Sequence, residues 1–220
     1  MFTTVLFDLD GTLLNTLDDL ADSANRVCAA HGWPLHTRDE YRYFVGNGIP
    51  KLVERFSPET DRDPDTLAAT LAEFGAVYGA HMHDKTAPYP GMPELLHKLQ
   101  QSGVKMAVFS NKADEFAGAV VERYFGKGLF EIVRGALPNV PTKPAPEGTR
   151  ALMHTLGVDP AADKILYVGD SNVDVQTAHN AGLPCCGVLW GFRTRDELEK
   201  EGAEYLAADC KALEEIILAK

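Results

Sequence analysis

Two carboxylates stand two residues apart at the end of a short apolar run. Val5-Leu6-Phe7 leads into Asp8-Leu9-Asp10-Gly11-Thr12-Leu13. At that spacing one acid can attack an electrophile while the other moves a proton. Both can also turn oxygen atoms towards one hard cation. A bare Asp-x-Asp is usually just an acidic turn. The buried run before it and the Gly-Thr after it make the six-residue string far more specific.

A second acidic pair follows a second apolar run. Ile165-Leu166-Tyr167-Val168 precedes Gly169-Asp170-Ser171-Asn172-Val173-Asp174. Asp170 and Asp174 straddle a strand-to-helix junction, where they can bind a cation directly or through water. Asp174 fits equally well as an acid that complements a helix N-terminus. An EF-hand is excluded, because its glycine is missing and Ala181 stands where its last glutamate belongs. Ser110-Asn111-Lys112, after Met106-Ala107-Val108-Phe109, offers a hydroxyl and a helix N-terminus to a phosphate. On its own it reads as an ordinary N-cap. Lys143 lies among the prolines of Pro141-Thr142-Lys143-Pro144-Ala145-Pro146, a stiff loop able to hold an ammonium in place. Acids for a cation beside a hydroxyl and a lysine for an anion describe phosphoryl transfer. No Gly-x-x-x-x-Gly-Lys-Ser/Thr loop is present, which excludes a Walker-type nucleoside triphosphatase.

These groups need elements to bring them together. The three apolar runs above, and a fourth at Cys186-Gly187-Val188-Leu189-Trp190, suit strands buried on both faces of a parallel sheet. Helical patterns lie between them: Leu95, Leu96 and Leu99, then Val175 and Ala178, then Leu213, Ile216 and Ile217. The alternation implies an α/β layered fold. In such sheets ligands bind beyond the carboxyl ends of the strands, so Asp8, Ser110 and Asp170 should meet at one edge. Between Asn15 and Thr86 no strand pattern appears. Thr16 is placed to cap a helix, with Asp19 as its capping-box partner. Leu17, Leu20, Ala21, Ala24, Val27 and Cys28 form one apolar face, and Leu67, Leu71, Phe74, Tyr78 and Met82 another. The stiff Ala87-Pro88-Tyr89-Pro90-Gly91 returns the chain to the main body.

The 220-residue chain carries a formal charge of −11, which disfavours nucleic acid or an anionic membrane as partner. Its four cysteines, Cys28, Cys185, Cys186 and Cys210, show no zinc spacing and read as reduced thiols of a cytoplasmic protein. His81 and His83 lack a third ligand and read as solvent-exposed. No stretch has the length of a membrane span.

Asp8-Leu9-Asp10-Gly11-Thr12-Leu13, Ser110-Asn111, Lys143-Pro144 and Gly169-Asp170-Ser171-x-x-Asp174 resemble, in order and spacing, the four motifs of the haloacid dehalogenase-like hydrolases. The resemblance covers nearly the whole chain. It implies an α/β fold, a Rossmann-like doubly wound parallel sheet of residues 1–14 and 87–220, with a small all-helical cap domain inserted at 15–86. It implies a phosphatase in which Asp8 is the nucleophile and Asp10 the general acid and base. Magnesium would be held by Asp8, the Asp10 carbonyl and Asp170, with Asp174 in support. Lys143 would serve catalysis and, with Gly11, Ser110 and Asn111, bind phosphate. Asp10 favours a phosphate substrate, since the dehalogenating relatives lack an acid there.

Val45-Gly46-Asn47-Gly48 and Leu189-Trp190-Gly191-Phe192-Arg193 are similar to phosphoglycolate phosphatases. Gly46, Asn47 and Gly48 are thus candidates for substrate contact, although Asn47 equally suits a helix start. Arg193 is either a carboxylate ligand or a surface arginine. The expected partner is a small phosphorylated metabolite, met by a monomer or homodimer. Two rivals remain: a phosphosugar mutase of the same superfamily, and a non-catalytic binding protein on the same fold. The latter would predict a lost nucleophile or metal acid.

Overall fold

In the computed structural model, which describes residues 1–219, the first apolar run forms strand β1 (Thr4–Phe7), buried along its whole length. Two parallel neighbours flank it, β4 (Lys105–Ala113) and β6 (Ile165–Gly169), with Phe7 paired to Val108 on one side and Val168 on the other. Beyond β4 lies β5 (Ile132–Ala136); beyond β6 lie β7 (Cys185–Val188) and β8 (Tyr205–Ala207). All six strands are parallel.

Helices cover both faces, which is why the strands are apolar throughout instead of alternating. Val5, Phe7, Met106 and Val108 pack with α5 (Met92–Gln101), α6 (Asp114–Phe125) and α10 (Cys210–Leu218). Leu6, Ala107 and Tyr167 point the other way, onto α7 (Pro146–Leu156), α8 (Asn172–Asn180) and α9 (Arg195–Glu201). The two edge strands were not legible as strands. Ile132-Val133-Arg134-Gly135-Ala136 is mostly half-buried, and β8 has only three residues, so neither carries a long apolar run. The fourth run is shorter than its composition suggests: the strand stops at Val188, and Leu189-Trp190 turn away.

The inserted helices, α1 (Leu17–His31), α2 (Arg38–Phe44), α3 (Ile49–Phe56) and α4 (Pro64–His81), share one apolar cluster, which Phe192 and Phe116 of the main body join. Both expected apolar faces contribute: Leu17, Leu20, Ala24 and Cys28 from α1, Phe74 and Tyr78 from α4. The chain leaves the sheet and returns to it through a small antiparallel ribbon, β2 (Leu14–Asn15) with β3 (Ala87–Pro88).

Asp19 belongs to this crossing and not to a cap. The Thr16 hydroxyl is buried without a hydrogen-bond partner, so the expected capping box does not form. Asp19, 2% exposed, instead accepts the main-chain N–H groups of Lys85 and Thr86 at 2.9 and 2.8 Å and the Thr86 hydroxyl at 2.7 Å. Asp19 and Thr86 are 67 residues apart, a distance that a local motif cannot read. Asp19→Ala leaves those buried donors without an acceptor. It is expected to lower stability in urea denaturation by about 3 kcal/mol, with Asp19→Asn costing less.

Three other expectations are corrected. Ser110, Asn111 and Lys112 lie inside β4, whose register shifts between Phe109 and Ala113; helix α6 starts only at Asp114. The bulge lets the strand run past its apolar part, so no helix N-terminus stands at Ser110. Helix α3 begins at Ile49, after Gly48, so Asn47 is not a helix start. His81 and His83 are half-buried, not exposed, and His81 Nδ1 lies 2.8 Å from Asp84. Among the described residues, no helix is long and apolar enough to cross a membrane.

Candidate active site

Counted along the chain, the six strands lie in the spatial order 3-2-1-4-5-6. Strand order therefore reverses between β1 and β6, and a crevice opens at their carboxyl ends. Asp8 follows β1 and Asp170 follows β6, so the topology sets the two acids side by side. Asp8 is anchored by its own N–H, which donates to Val168 O at 2.9 Å.

The backbone here is crowded. Gly11 has φ +87°, and a side chain on it would strike the Asp170 carboxylate; one on Gly191 would strike Asp170 as well. Glycine at these positions lets two loops close around Asp170. Its Oδ1 accepts from the Thr12 hydroxyl at 3.2 Å and its Oδ2 from Phe192 N–H at 2.6 Å. Asp174 caps the start of α8 and pairs with a lysine. Oδ2 accepts from the Ser171 N–H and hydroxyl at the start of α8, at 3.0 and 2.7 Å, while Oδ1 takes Lys143 Nζ at 2.7 Å.

Lys143 is buried, its Nζ also 2.8 Å from Asp8 Oδ1 and 5.7 Å from the centre of the Tyr167 ring. Asn111 holds the lysine's main chain from both sides, accepting its N–H at 2.8 Å and donating to its carbonyl at 3.1 Å. The same Asn111 amide donates to Gly46 O at 3.0 Å, tying the Gly46–Gly48 loop of the inserted helices to the sheet. Asn111 thus fixes a lysine and a loop; its amide is already engaged. Asn47 turns away and accepts from Arg55 at 2.8 Å.

Charge is concentrated in this crevice. Burial, then the charge of Asp174, pushes the Asp8 carboxyl up to about 7, against the pull of Lys143. Burial and the charges of Asp174 and Asp8 push Asp170 well above the carboxylate range. Burial works against the ammonium of Lys143, but Asp174 and Asp8 outweigh it and hold its pKa well above the ordinary lysine value. One lysine is not enough for three buried acids. Oxygen atoms of Asp8, Asp170 and Asp174 lie within 4.8 Å of one another, a donor set suited to a hard divalent cation.

A cavity of about 30 Å³ opens against Asp8, walled by Asp10, Ser110 and Lys112 from the sheet and by Gly46 and Gly48 from the inserted helices. It has room for little more than a water. Arg193 does not line it. Its guanidinium donates to Arg42 O and Val45 O at the end of α2 and lies 4.9 Å from the Tyr43 ring centre. It is buried, not a surface arginine, and it satisfies the last carbonyls of α2.

Two residues went unread in the sequence. Lys112 is buried with Nζ 3.1 Å from Asp10 Oδ1, and Tyr78 from α4 accepts from it at 2.6 Å. A lysine near a strand end looks like any solvated lysine, and Tyr78 looked like a core residue of its helical stripe. Only the meeting of β4 with α4 distinguishes them.

The family model described as haloacid dehalogenase-like hydrolase matches residues 5–188. A phosphoglycolate phosphatase of Pseudomonas putida is 33% identical over 213 residues, covering 95% of this chain and 77% of the relative. A crystal structure from Lactobacillus delbrueckii subsp. bulgaricus, a provisionally assigned phosphoglycolate phosphatase, superposes with a TM-score of 0.91 at 32% identity. It covers 100% of this chain and 99% of the other. CbbY from Rhodobacter sphaeroides, crystallised with phosphate, gives 0.80 at 26% identity, covering 96% and 95%.

Proposed function

Since the chain belongs to the haloacid dehalogenase-like hydrolases, we propose that it hydrolyses a small phosphomonoester, 2-phosphoglycolate in the first place, through an aspartyl-phosphate on Asp8. The observation that carries this reading is the clustering of Asp8 with Lys143, Asp170 and Asp174, with Asp10 lining the same small cavity. A binding protein would have no need of so costly a cluster of buried charge.

Asp8 attacks phosphorus, the bond from phosphorus to the substrate oxygen breaks, and Asp10 gives that oxygen its proton. Asp10 then takes a proton from water, whose oxygen attacks phosphorus and releases Asp8 and inorganic phosphate. Asp8, Asp170 and the Asp10 carbonyl, with Asp174 in support, would hold magnesium, which would supply positive charge against the phosphoryl oxygens. Lys143 does the same from the protein side and keeps Asp8 from being repelled by its neighbours. Ser110, Gly11 and the Gly46–Gly48 loop are assigned to the phosphate and its small leaving group. Asn111 contributes by fixing Lys143.

Residues 15–86 are assigned as a cap domain on 1–14 and 87–220. Their largely self-contained apolar cluster and the two-strand ribbon support that division. The inserted helices wall the small cavity at Asp8, which supports a cap that lifts to admit substrate and settles again before chemistry. The names of the relatives favour a leaving group of a few atoms. A cytoplasmic location accompanies this reading, resting on four unpaired cysteines.

Phosphate release from a panel of 2-phosphoglycolate, sugar phosphates, nucleotides and pyrophosphate, with magnesium and with a chelator, tests the proposal. Magnesium-dependent release with 2-phosphoglycolate the best substrate is expected. Transfer of phosphate to sugar instead of water would identify a mutase, and no turnover by folded protein would point to a substrate outside the panel or to a binding protein.

A further inference from the structure

Asp10 has one side-chain hydrogen-bond partner among the described residues, and that partner is itself held from the cap. Lys112 Nζ lies 3.1 and 3.5 Å from the two oxygens of Asp10 and donates to the Tyr78 hydroxyl at 2.6 Å. Its side chain is 1% exposed. Burying an ammonium costs free energy that only good partners offset, and here one partner lies on the core and the other on the cap. Tyr78 is fully buried, stacked on Phe74 at 5.7 Å and edge-on to Phe116 of α6 at 5.5 Å. Packing therefore fixes where its hydroxyl sits.

We propose that Lys112 is a positioning residue for Asp10, and that Tyr78 makes the alignment of Asp10 depend on the cap being down. The inference rests on Asp10 being the proton donor to the leaving group. With the cap settled, Tyr78 holds the ammonium, the ammonium holds the carboxyl, and Asp10 faces the leaving oxygen. With the cap lifted, Tyr78 departs, Lys112 loses one of its two partners, and Asp10 is free to rotate. Proton transfer is then matched to the state in which water is excluded.

Substrates that differ in their need for a proton provide the test. An alkoxide leaving from 2-phosphoglycolate needs one; p-nitrophenolate leaving from p-nitrophenyl phosphate does not. The readout is kcat/KM for the magnesium-loaded full chain, because it reports events up to release of the leaving group. Lys112→Met is expected to lower kcat/KM on the alkyl ester about 10²-fold and on the aryl ester less than about threefold. Tyr78→Phe should show the same pattern at about fivefold, the rate equivalent of one hydrogen bond. Lys112→Arg should recover part of the loss. Asp10→Asn is the reference and should discriminate between the esters more strongly than either.

If Asp10→Asn discriminates but Lys112→Met and Tyr78→Phe lower both esters equally, the positioning role is overturned while the assignment of Asp10 stands. If Asp10→Asn does not discriminate, the proton-donor reading fails and this inference fails with it. Should Lys112→Met not fold, Tyr78→Phe decides alone, since it removes a single oxygen.

Discussion

Asp8→Asn is expected to abolish turnover, by at least about 10⁴-fold, while the protein remains folded and becomes no less stable. The loss follows from the chemistry: an amide is too weak a nucleophile to form the covalent intermediate, and a missing nucleophile is rarely compensated by the rest of a site. The stability follows from the electrostatics. Burial and Asp174 raise Asp8 from 3.8 to about 7 in the cation-free fold. An acid whose folded value lies above its unfolded value destabilises the fold once pH exceeds the unfolded value. That penalty is absent below about pH 4 and grows until about pH 7. The variant should therefore melt higher than the parent at pH 8 in chelator and equal to it below pH 4. Lost stability at pH 8, or residual turnover within tenfold of the parent, would contradict the role given to Asp8.

Lys143→Met is expected to damage both function and fold. The ammonium sits 2.8 Å from Asp8 and 2.7 Å from Asp174, and all three side chains are buried. Removing one partner of a buried ionic cluster leaves uncompensated charge and costs about 3–5 kcal/mol. Turnover should fall about 10²–10³-fold, as when one preorganised donor to a developing charge is lost. Added magnesium should restore part of the melting temperature, because it answers the same carboxylates, yet little of the rate. Urea denaturation and steady-state kinetics with and without the cation check both halves. Intact stability with lost rate would mean that the acids are already neutral in the fold.

Much of the fold is legible in the sequence alone. The apolar runs at Val5, Met106, Ile165 and Cys186 placed four of the six central strands, because strands covered on both faces must be apolar throughout. The acids and the serine directly after those runs then met at one edge by topology alone. Period and composition could not reach the edge strands β5 and β8, whose partial exposure removes the signal. Nor could they show that β4 continues through Ser110-Asn111-Lys112, since a bulge leaves no trace in hydropathy.

Residue types and their order pointed to the proposed chemistry: Asp8 with Asp10, then Ser110, Lys143, Asp170 and Asp174 read as a site for phosphoryl transfer before packing is considered. Tertiary structure decided what each polar group spends its hydrogen bonds on. Asp19 closes the crossing instead of a cap, Asn111 clamps Lys143, and Arg193 satisfies the end of α2. Lys112 reaches from the sheet to Tyr78 on a helix 34 residues away in sequence. The physical reason is the same in each case. A buried donor or acceptor must find a partner, and the nearest partner in space is set by how elements pack, which no local pattern records.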